Sequence, residues 1–326
     1  MNPSPSDQTT YEGKAKTVEI LSPKKVRIIF TDRISAGDGA KIDVIPGKGR
    51  MNLALSNQLM TVLEKAGIPI HTLELESETS IIARNLRIIP IEVVVRNITA
   101  GSFSRRYGVS EGEKLDTPLV EFFVKDDELH DPLIDREVAV SRGLVDRETL
   151  ELMQARALQV NRVFTKYFSE AGMVLVDFKL EFGSDSKGNI WVADEISADS
   201  MRIWDATTME KLDKDRFRRD LGDLLAGYQV IIDRLKQVGD YTPERQSLEV
   251  IVTIEPKQSV TNPGGDVTKR TLLNADLKGI GRVRLGKTVS IEVEDSMDTT
   301  WLWKIHKVCS EILTNPMIET YSLGFR

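Results

Sequence analysis

Cysteine is nearly absent from this chain of 326 residues, Cys309 being the single thiol. That excludes an internal disulfide and any multi-thiolate metal site. Histidine is scarce as well, with three residues, which disfavours a zinc or haem centre. Any metal here is expected to be a hard cation held by carboxylates. No run of eighteen apolar residues occurs, so no helix is expected to span a membrane. Met1–Thr10 is polar, contains Pro3 and Pro5, and lacks an apolar h-region. It reads as a disordered tail rather than a signal peptide, with the cytoplasm as the natural compartment. An excess of positive charge is also missing: 44 Lys and Arg face 50 Asp and Glu, for a net charge of −6. This argues against non-specific nucleic-acid binding, while local basic clusters can still grip a phosphorylated small molecule. GxGxxG is absent, which disfavours a Rossmann site.

What remains is the composition of an ordinary globular protein, 40% hydrophobic and 29% charged, long enough for a main domain and a smaller one. From Thr17 to Val95 short strand signals alternate with turns; Val26–Phe30 and Ile91–Val95 are β-branched runs. Between them, Leu53, Leu55, Leu59, Val62 and Leu63 fall at mostly helical spacing, closed by Gly67 and Pro69. A helix is expected after Asp146 as N-cap, with Leu150, Met153, Ala157, Val160 and Phe164 on one face. Met173–Phe182 reads as a strand, and one continuous helix is expected from about Asp213 to Val238. The polar, turn-rich stretch 241–247 reads as a linker between domains at 11–240 and 248–326. From residue 247 onward ten basic and ten acidic residues balance, so the first part carries all the net negative charge. The last segment reads as a small α+β module: a strand, a helix after Asn262–Gly265, a hairpin of Val283–Lys287 with Val289–Val293, a helix over Trp301–Leu313, and a strand.

Three stretches look like chemistry. In a strand over 174–182, alternation places Val174, Val176, Phe178 and Leu180 on one face and Asp177, Lys179 and Glu181 on the other. A solvated edge strand would show the same pattern. The turn at Ser184–Asn189 and the strand Ile190–Ala193 are expected to return Asp194 close to Glu181. Two such carboxylates can hold Mg²⁺ and bridge to nucleotide phosphates. Near the start, Gly13, Lys14 and Lys16 suit triphosphate binding as a turn carrying point charges. A basic set of Arg96, Gly101–Ser102 and Arg202 could fork a substrate phosphate, or Arg96 could be an ion-pair partner.

These motifs, taken together and in order, resemble SAICAR synthetase. The resemblance runs through Tyr11–Lys16, Ser35–Ala40, Val95–Asn97 with Gly101–Ser102, Lys125–Asp127 with His130–Pro132, Asp177–Gly183, Asp194–Asp205 and Lys214–Arg218, covering about residues 9–238. It implies a two-lobed α+β fold with an ATP cleft, loosely similar to kinases. The implied reaction joins L-aspartate to the carboxylate of carboxyaminoimidazole ribonucleotide (CAIR), with ATP cleaved to ADP and phosphate. By the same resemblance Gly13, Lys14 and Lys16 contact ATP phosphates with Lys125 nearby, and Glu181 and Asp194 ligate Mg²⁺. Arg96, Ser102 and Arg202 hold the ribonucleotide phosphate, Asp38 binds substrate, and Asp177 and Lys179 complete the centre. Asp199, Lys214 and Arg218 fall on substrate-binding positions. Ala198 stands where that family usually has proline, which would loosen the loop carrying Asp199. The last eighty or so residues resemble PurS, the small subunit of formylglycinamidine ribonucleotide synthetase, through Leu248–Thr253, Asn262–Gly265, Val283–Lys287 and Cys309–Leu313 with Asn315. This implies a non-catalytic module that self-associates and bridges the large synthetase subunit and the glutaminase subunit. The competing reading is a small-molecule kinase with a C-terminal regulatory ligand-binding domain.

Overall fold

The β-branched runs near the N-terminus form an antiparallel sheet of five strands. The computed structural model describes residues 10–36, 39–294 and 301–326, so the tail expected at 1–10 lies outside them apart from Thr10. It divides into two units, Met1–Gln246 and Ser247–Arg326. In the first unit β1 (Thr10–Glu12), β2 (Lys16–Ser22) and β3 (Lys25–Phe30) come first, and β4 (Arg33–Ala36) pairs with β5 (Lys41–Val44) as a separate ribbon. Helix α1 (Lys48–Lys65) follows, then β6 (Thr72–Leu75) and β7 (Ser80–Arg84), which complete the order β1-β2-β3-β7-β6.

A second antiparallel sheet carries most of the charged residues singled out above. It contains β8 (Arg87–Ile98), then, after α2 (Gly101–Tyr107), β9 (Lys114–Val124) and β10 (Leu133–Ile134). Beyond α3 (Arg136–Ser141) and α4 (Arg147–Glu170) come β11 (Met173–Ser184), β12 (Ile190–Ala193) and β13 (Met201–Asp205). The order is β10-β9-β8-β11-β12, with β13 also paired to β11. Helix α4 starts where expected: Asp146 accepts from the Thr149 amide at 2.8 Å. Its apolar stripe is fully buried, with Phe164 edge-on to Phe178 of β11 at 6.1 Å.

Strand β11 departs from strict alternation. A bulge between Leu175 and Asp177 shifts its register against β13. Leu175, Phe178 and Leu180 therefore enter the main core, while Val176, with Val174 against it, joins a separate cluster with Ile98, Ala100 and Trp204. The expected single apolar face of Val174, Val176, Phe178 and Leu180 is thus split between two cores.

The helix expected over 213–238 is broken. A short α5 (Asp215–Arg218) ends before Asp220 and Gly222, whose φ of 53° and 98° leave the helical region. Asp223 then caps α6 (Leu224–Gln237) by accepting from the Leu225 and Ala226 amides. The stretch read as a linker is attached to the first unit through residue 246. Tyr241 is buried and stacked on Tyr167 with ring centroids 4.5 Å apart, and the Gln246 amide donates to the Ala66 carbonyl at 2.8 Å. A chain ending at Asp240 should consequently be less stable than one ending at Gln246. Loss of a buried aromatic ring sets the scale at about 3 kcal/mol. Urea unfolding of the two versions checks this, and equal midpoints would show that the segment contributes nothing.

The second unit is a three-stranded antiparallel sheet with two helices. β14 (Leu248–Pro256) lies between β15 (Lys287–Val293) and β16 (Glu319–Phe325). Leu248, Val250, Val252 and Ile254 alternate along β14 and are all buried. α7 (Pro263–Asn274) is capped by Asn262, which accepts from the Gly265 amide, and α8 (Trp301–Val308) runs into a π-helical turn at Cys309–Leu313. The hairpin expected from Val283 is absent, because residues 283–286 form no strand. Arg284 instead donates to the carbonyls of Pro256 and Lys257. Among the described residues no helix is long and apolar enough to cross a membrane.

Candidate active site

β11 organises two charged clusters along its length. At its C-terminal end Glu181 lies directly across from Glu92 of β8, a like-charge pairing that would repel. Lys179 resolves it, its Nζ bridging Glu92 at 2.5 Å and Glu181 at 3.3 Å. Lys125, at the end of β9, adds a second ammonium 2.7 Å from Glu181. Burial opposes the charge on Lys179, but Glu181 and Glu92 outweigh it and hold the amine above its ordinary range. Burial also pushes the Glu92 carboxyl up.

The hairpin of β11 and β12 sets Glu181 opposite Ala193, so Asp194 follows immediately beside it, as the sequence pattern implied. Asp194 sits in the left-handed region at φ 59° and binds Lys16 of β2. Burial works against both charges, yet each holds the other ionised: Asp194 stays well below the usual carboxylate range and Lys16 above the lysine one. Gly13 makes the turn before Lys16, its amide donating to the Lys16 carbonyl at 2.7 Å. Lys14 lies further out, paired at 2.7 Å with Asp127, and both are exposed. The first sheet thus delivers Lys16, and the second delivers Lys125, Lys179, Glu181 and Asp194, to one place.

Towards the N-terminal end of β11 the second cluster is centred on Asp177. Arg96 of β8 is buried between two carboxylates, with Nε 2.6 Å from Glu121 and Nη1 2.8 Å from Asp177. Arg202 of β13 approaches Asp177 at 2.9 Å and Asp215 at 3.0 Å, and Arg218 approaches Asp215 at 2.6 Å. Gly101, at φ 58°, leaves room for this: a Cβ there would collide with the Arg202 guanidinium. Ser102 follows it in the first turn of α2. The structure therefore groups Arg96, Ser102, Asp177, Arg202 and Arg218, and the ion-pair reading of Arg96 describes it as it stands.

Asp199 lies in the loop after Asp194, and both of its oxygens are engaged, Oδ1 by the Tyr228 hydroxyl and Oδ2 by Lys48 at 2.6 Å. The loop is tied despite Ala198: the Ser197 amide donates to Ser200 Oγ at 3.0 Å and the Lys214 amide to the Ala198 carbonyl at 3.1 Å. Burial lowers the Lys214 ammonium and raises the neighbouring Glu195 carboxyl, whose Oε2 is buried without a hydrogen-bond partner. Asp38 lies outside the described residues. Glu92, Glu121, Lys48 and Tyr228 are missing from the sequence-based list. For Glu92 the available signal was a charge inside the β-branched run 91–95.

Asp213 has a measurable consequence. It is fully buried and accepts from the amides of Ile203 and Asp215, and burial, reinforced by Asp215, raises its carboxyl to about 7. A raised carboxyl favours the folded state at low pH and loses that advantage as pH rises towards 7. The fall in unfolding free energy between pH 5 and pH 8 should shrink by about 2–3 kcal/mol in Asp213→Asn. Urea titrations at the two pH values measure it, and an unchanged difference would contradict the assignment.

Among the described residues no cluster of three or more His, Cys, Asp or Glu forms a protein-only metal cage. Glu181 and Asp194 nevertheless suit a magnesium ion, which takes one or two carboxylates and completes its shell with water and phosphate oxygens. The unpartnered Glu195 Oε2 beside Asp194 supplies further oxygen capacity.

A family model described as SAICAR synthetase matches residues 9–235. The PurS model, described as phosphoribosylformylglycinamidine (FGAM) synthase, matches residues 249–326. Phosphoribosylaminoimidazole-succinocarboxamide synthase of Methanocaldococcus jannaschii is 48% identical over 228 residues, spanning 70% of this chain and 94% of that protein. The crystal structure of the synthase of that name from Ehrlichia chaffeensis aligns with a TM-score of 0.68 at 38% identity, over 70% of this chain and 98% of that one. A SAICAR synthetase solved in complex with ADP aligns with a TM-score of 0.67 at 42% identity, over 72% and 99%. The chain belongs to the SAICAR synthetase family, an α+β ligase fold, and carries a small PurS-like α+β domain after it.

Proposed function

We propose that the first unit ligates L-aspartate to the carboxylate of CAIR with cleavage of ATP to ADP and phosphate, a step of purine biosynthesis. The observation that carries this is the meeting of Lys16, Lys125 and Lys179 with Glu181 and Asp194 at one point on β11. A carboxylate resists attack by an amine because it would have to expel oxide. Transfer of the γ-phosphoryl group to one of its oxygens gives an acyl phosphate; the aspartate amine then attacks the carbonyl carbon, phosphate leaves, and the amine gives up a proton. The lysines meet the negative charge on the transferring phosphoryl group, and fixed positioning supplies much of the rest. Gly13 and Lys14 sit at the edge of this set, where they can contact the nucleotide.

Magnesium would be held by Glu181 and Asp194 and would supply charge neutralisation at the phosphates. Arg96, Ser102 and Arg202 hold the ribonucleotide phosphate in this reading, with Arg96 contributing the Nη2 donor that neither carboxylate uses. Asp177 orients both arginines. Asp38, Asp199, Lys214 and Arg218 complete the substrate side, Asp199 through the loop it anchors. The compartment that suits this reaction is the cytoplasm.

The decisive assay supplies ATP, CAIR and L-aspartate to the purified chain and identifies the product by mass. ADP release should require all three. ADP release from ATP and CAIR that is indifferent to aspartate would point to a kinase and overturn the ligase reading. The PurS-like domain is proposed to self-associate and to bind the large synthetase and glutaminase subunits of FGAM synthase. Tethering would then raise the effective concentration of one pathway step beside another. Co-purification of the full chain with those two subunits checks this; recovery of neither would remove it and leave the ligase assignment intact.

A further inference from the structure

One buried ion pair is not used by the chemistry above. Lys48, the first residue of α1, has no exposed surface, and its Nζ lies 2.6 Å from Asp199 Oδ2 and 3.0 Å from the Arg33 carbonyl. The other oxygen of Asp199 accepts from the hydroxyl of Tyr228 in α6, which is 1% exposed. Taking a lysine and a carboxylate out of water is expensive, and an apolar pair of similar volume would fill the space at no such cost. Packing therefore does not account for the charges.

Their position suggests what does. Asp199 belongs to the loop that runs from Asp194, in the first cluster, to Arg202, in the second. The loop fixes its own internal shape, with Ser197 and Ser200 exchanging hydrogen bonds and the Asp199 amide donating to Ser197 Oγ at 3.2 Å. Those bonds leave open where the loop stands against the helices behind it. Lys48 from α1 and Tyr228 from α6 fix that, one on each oxygen of Asp199, beside the bond from the Ile196 amide to Ser56 Oγ of α1 at 3.3 Å. The pair also occupies Asp199, so that among the described residues Lys214 feels its attraction without forming an ion pair with it.

Resting on the ligase reading, we propose that Lys48 and Tyr228 are positioning residues for the reaction. Through Asp199 they set the 195–200 loop so that Asp194 and Arg202 stand in register for the nucleotide and the ribonucleotide. A purely structural role would lower thermal stability and leave the kinetic constants of the folded protein alone. The test uses the full chain, with Tyr228→Phe as the mild variant and Lys48→Met as the severe one. Each is assayed for kcat and the KM of all three substrates, well below its melting temperature. Misplacement of reacting groups predicts a fall in kcat of about tenfold for Tyr228→Phe and about a hundredfold for Lys48→Met. A Tyr228→Phe protein whose kcat and KM values stay within about twofold of the parent overturns the proposal, whatever its melting temperature. If Lys48→Met does not fold, Tyr228→Phe decides alone. Aspartate-dependent ADP release by the parent is measured alongside, so failure of the ligase reading would be seen separately.

Discussion

Glu181→Gln and Asp194→Asn should each lower kcat for ligation by about 10²–10³-fold while the protein stays folded. The size follows from what each carboxylate does: in the proposed reaction it holds the cation that meets phosphate charge, and its amide keeps the shape while losing the charge. The choice of amide matters at Asp194. Its φ of 59° is one that asparagine tolerates and alanine does not, so Asp194→Ala would mix backbone strain with loss of chemistry. Folding should survive because the lysines left behind are not stranded. Lys179 keeps Glu92, and Lys125 is 41% exposed and can turn to water. Lys16 would lose most in Asp194→Asn, retaining Glu195 at 3.9 Å. Steady-state rates across a magnesium titration, with circular dichroism as the fold control, test both variants. Either one running within about tenfold of the parent at ordinary magnesium would remove that residue from the metal assignment.

The sequence pattern revealed the frame of this site better than its interior. The β11–β12 hairpin could be read because its turn is rich in polar residues and glycine and its strands are apolar. Once the hairpin is granted, the proximity of Asp194 to Glu181 follows from pairing geometry alone. The bulge at Val176 could not be read, since an extra residue in a strand changes no local propensity. The break between α5 and α6 had signals in Gly222 and Asp223, but the apolar spacing across them continued and outweighed them. In the second unit, Val283–Lys287 looked like half a hairpin because apolar and basic residues alternate over Val283, Arg284 and Leu285. Arg284 is instead spent on backbone carbonyls, a use that composition does not disclose.

The partners of the charged groups were least legible. Lys48 stands in a Gly-Lys-Gly-Arg stretch that reads as a solvated turn, and its burial depends on Asp199 arriving from 151 positions away in the chain. Glu121 and Glu92 are carboxylates in strands, where alternation alone would send them to solvent. They are buried because arginines and lysines from neighbouring strands meet them, and a single sequence does not show which strands become neighbours.

Those hidden partners determine how Arg96→Lys should behave. Lysine keeps the positive charge but offers a single nitrogen, so it can serve Glu121 or Asp177 but not both, and it has no separate nitrogen to present to a phosphate. Breaking a buried pair usually costs about 3–5 kcal/mol. Here each carboxylate retains a second cation, Arg106 for Glu121 and Arg202 for Asp177. The stability loss should therefore be nearer 1.5–3 kcal/mol, roughly that of one charge-assisted hydrogen bond. Binding of the ribonucleotide should suffer more selectively. Loss of one such bond to phosphate corresponds to a rise of about 10–100-fold in KM for CAIR. The cluster around Asp177 is separate from the one at Lys16 and Glu181, so KM for ATP should stay within about twofold. Measuring both constants on the same preparation, with its melting temperature, separates the possibilities. Parallel increases for ATP and CAIR would place Arg96 in the framework of the sheet and leave Arg202 and Ser102 to hold the phosphate without it.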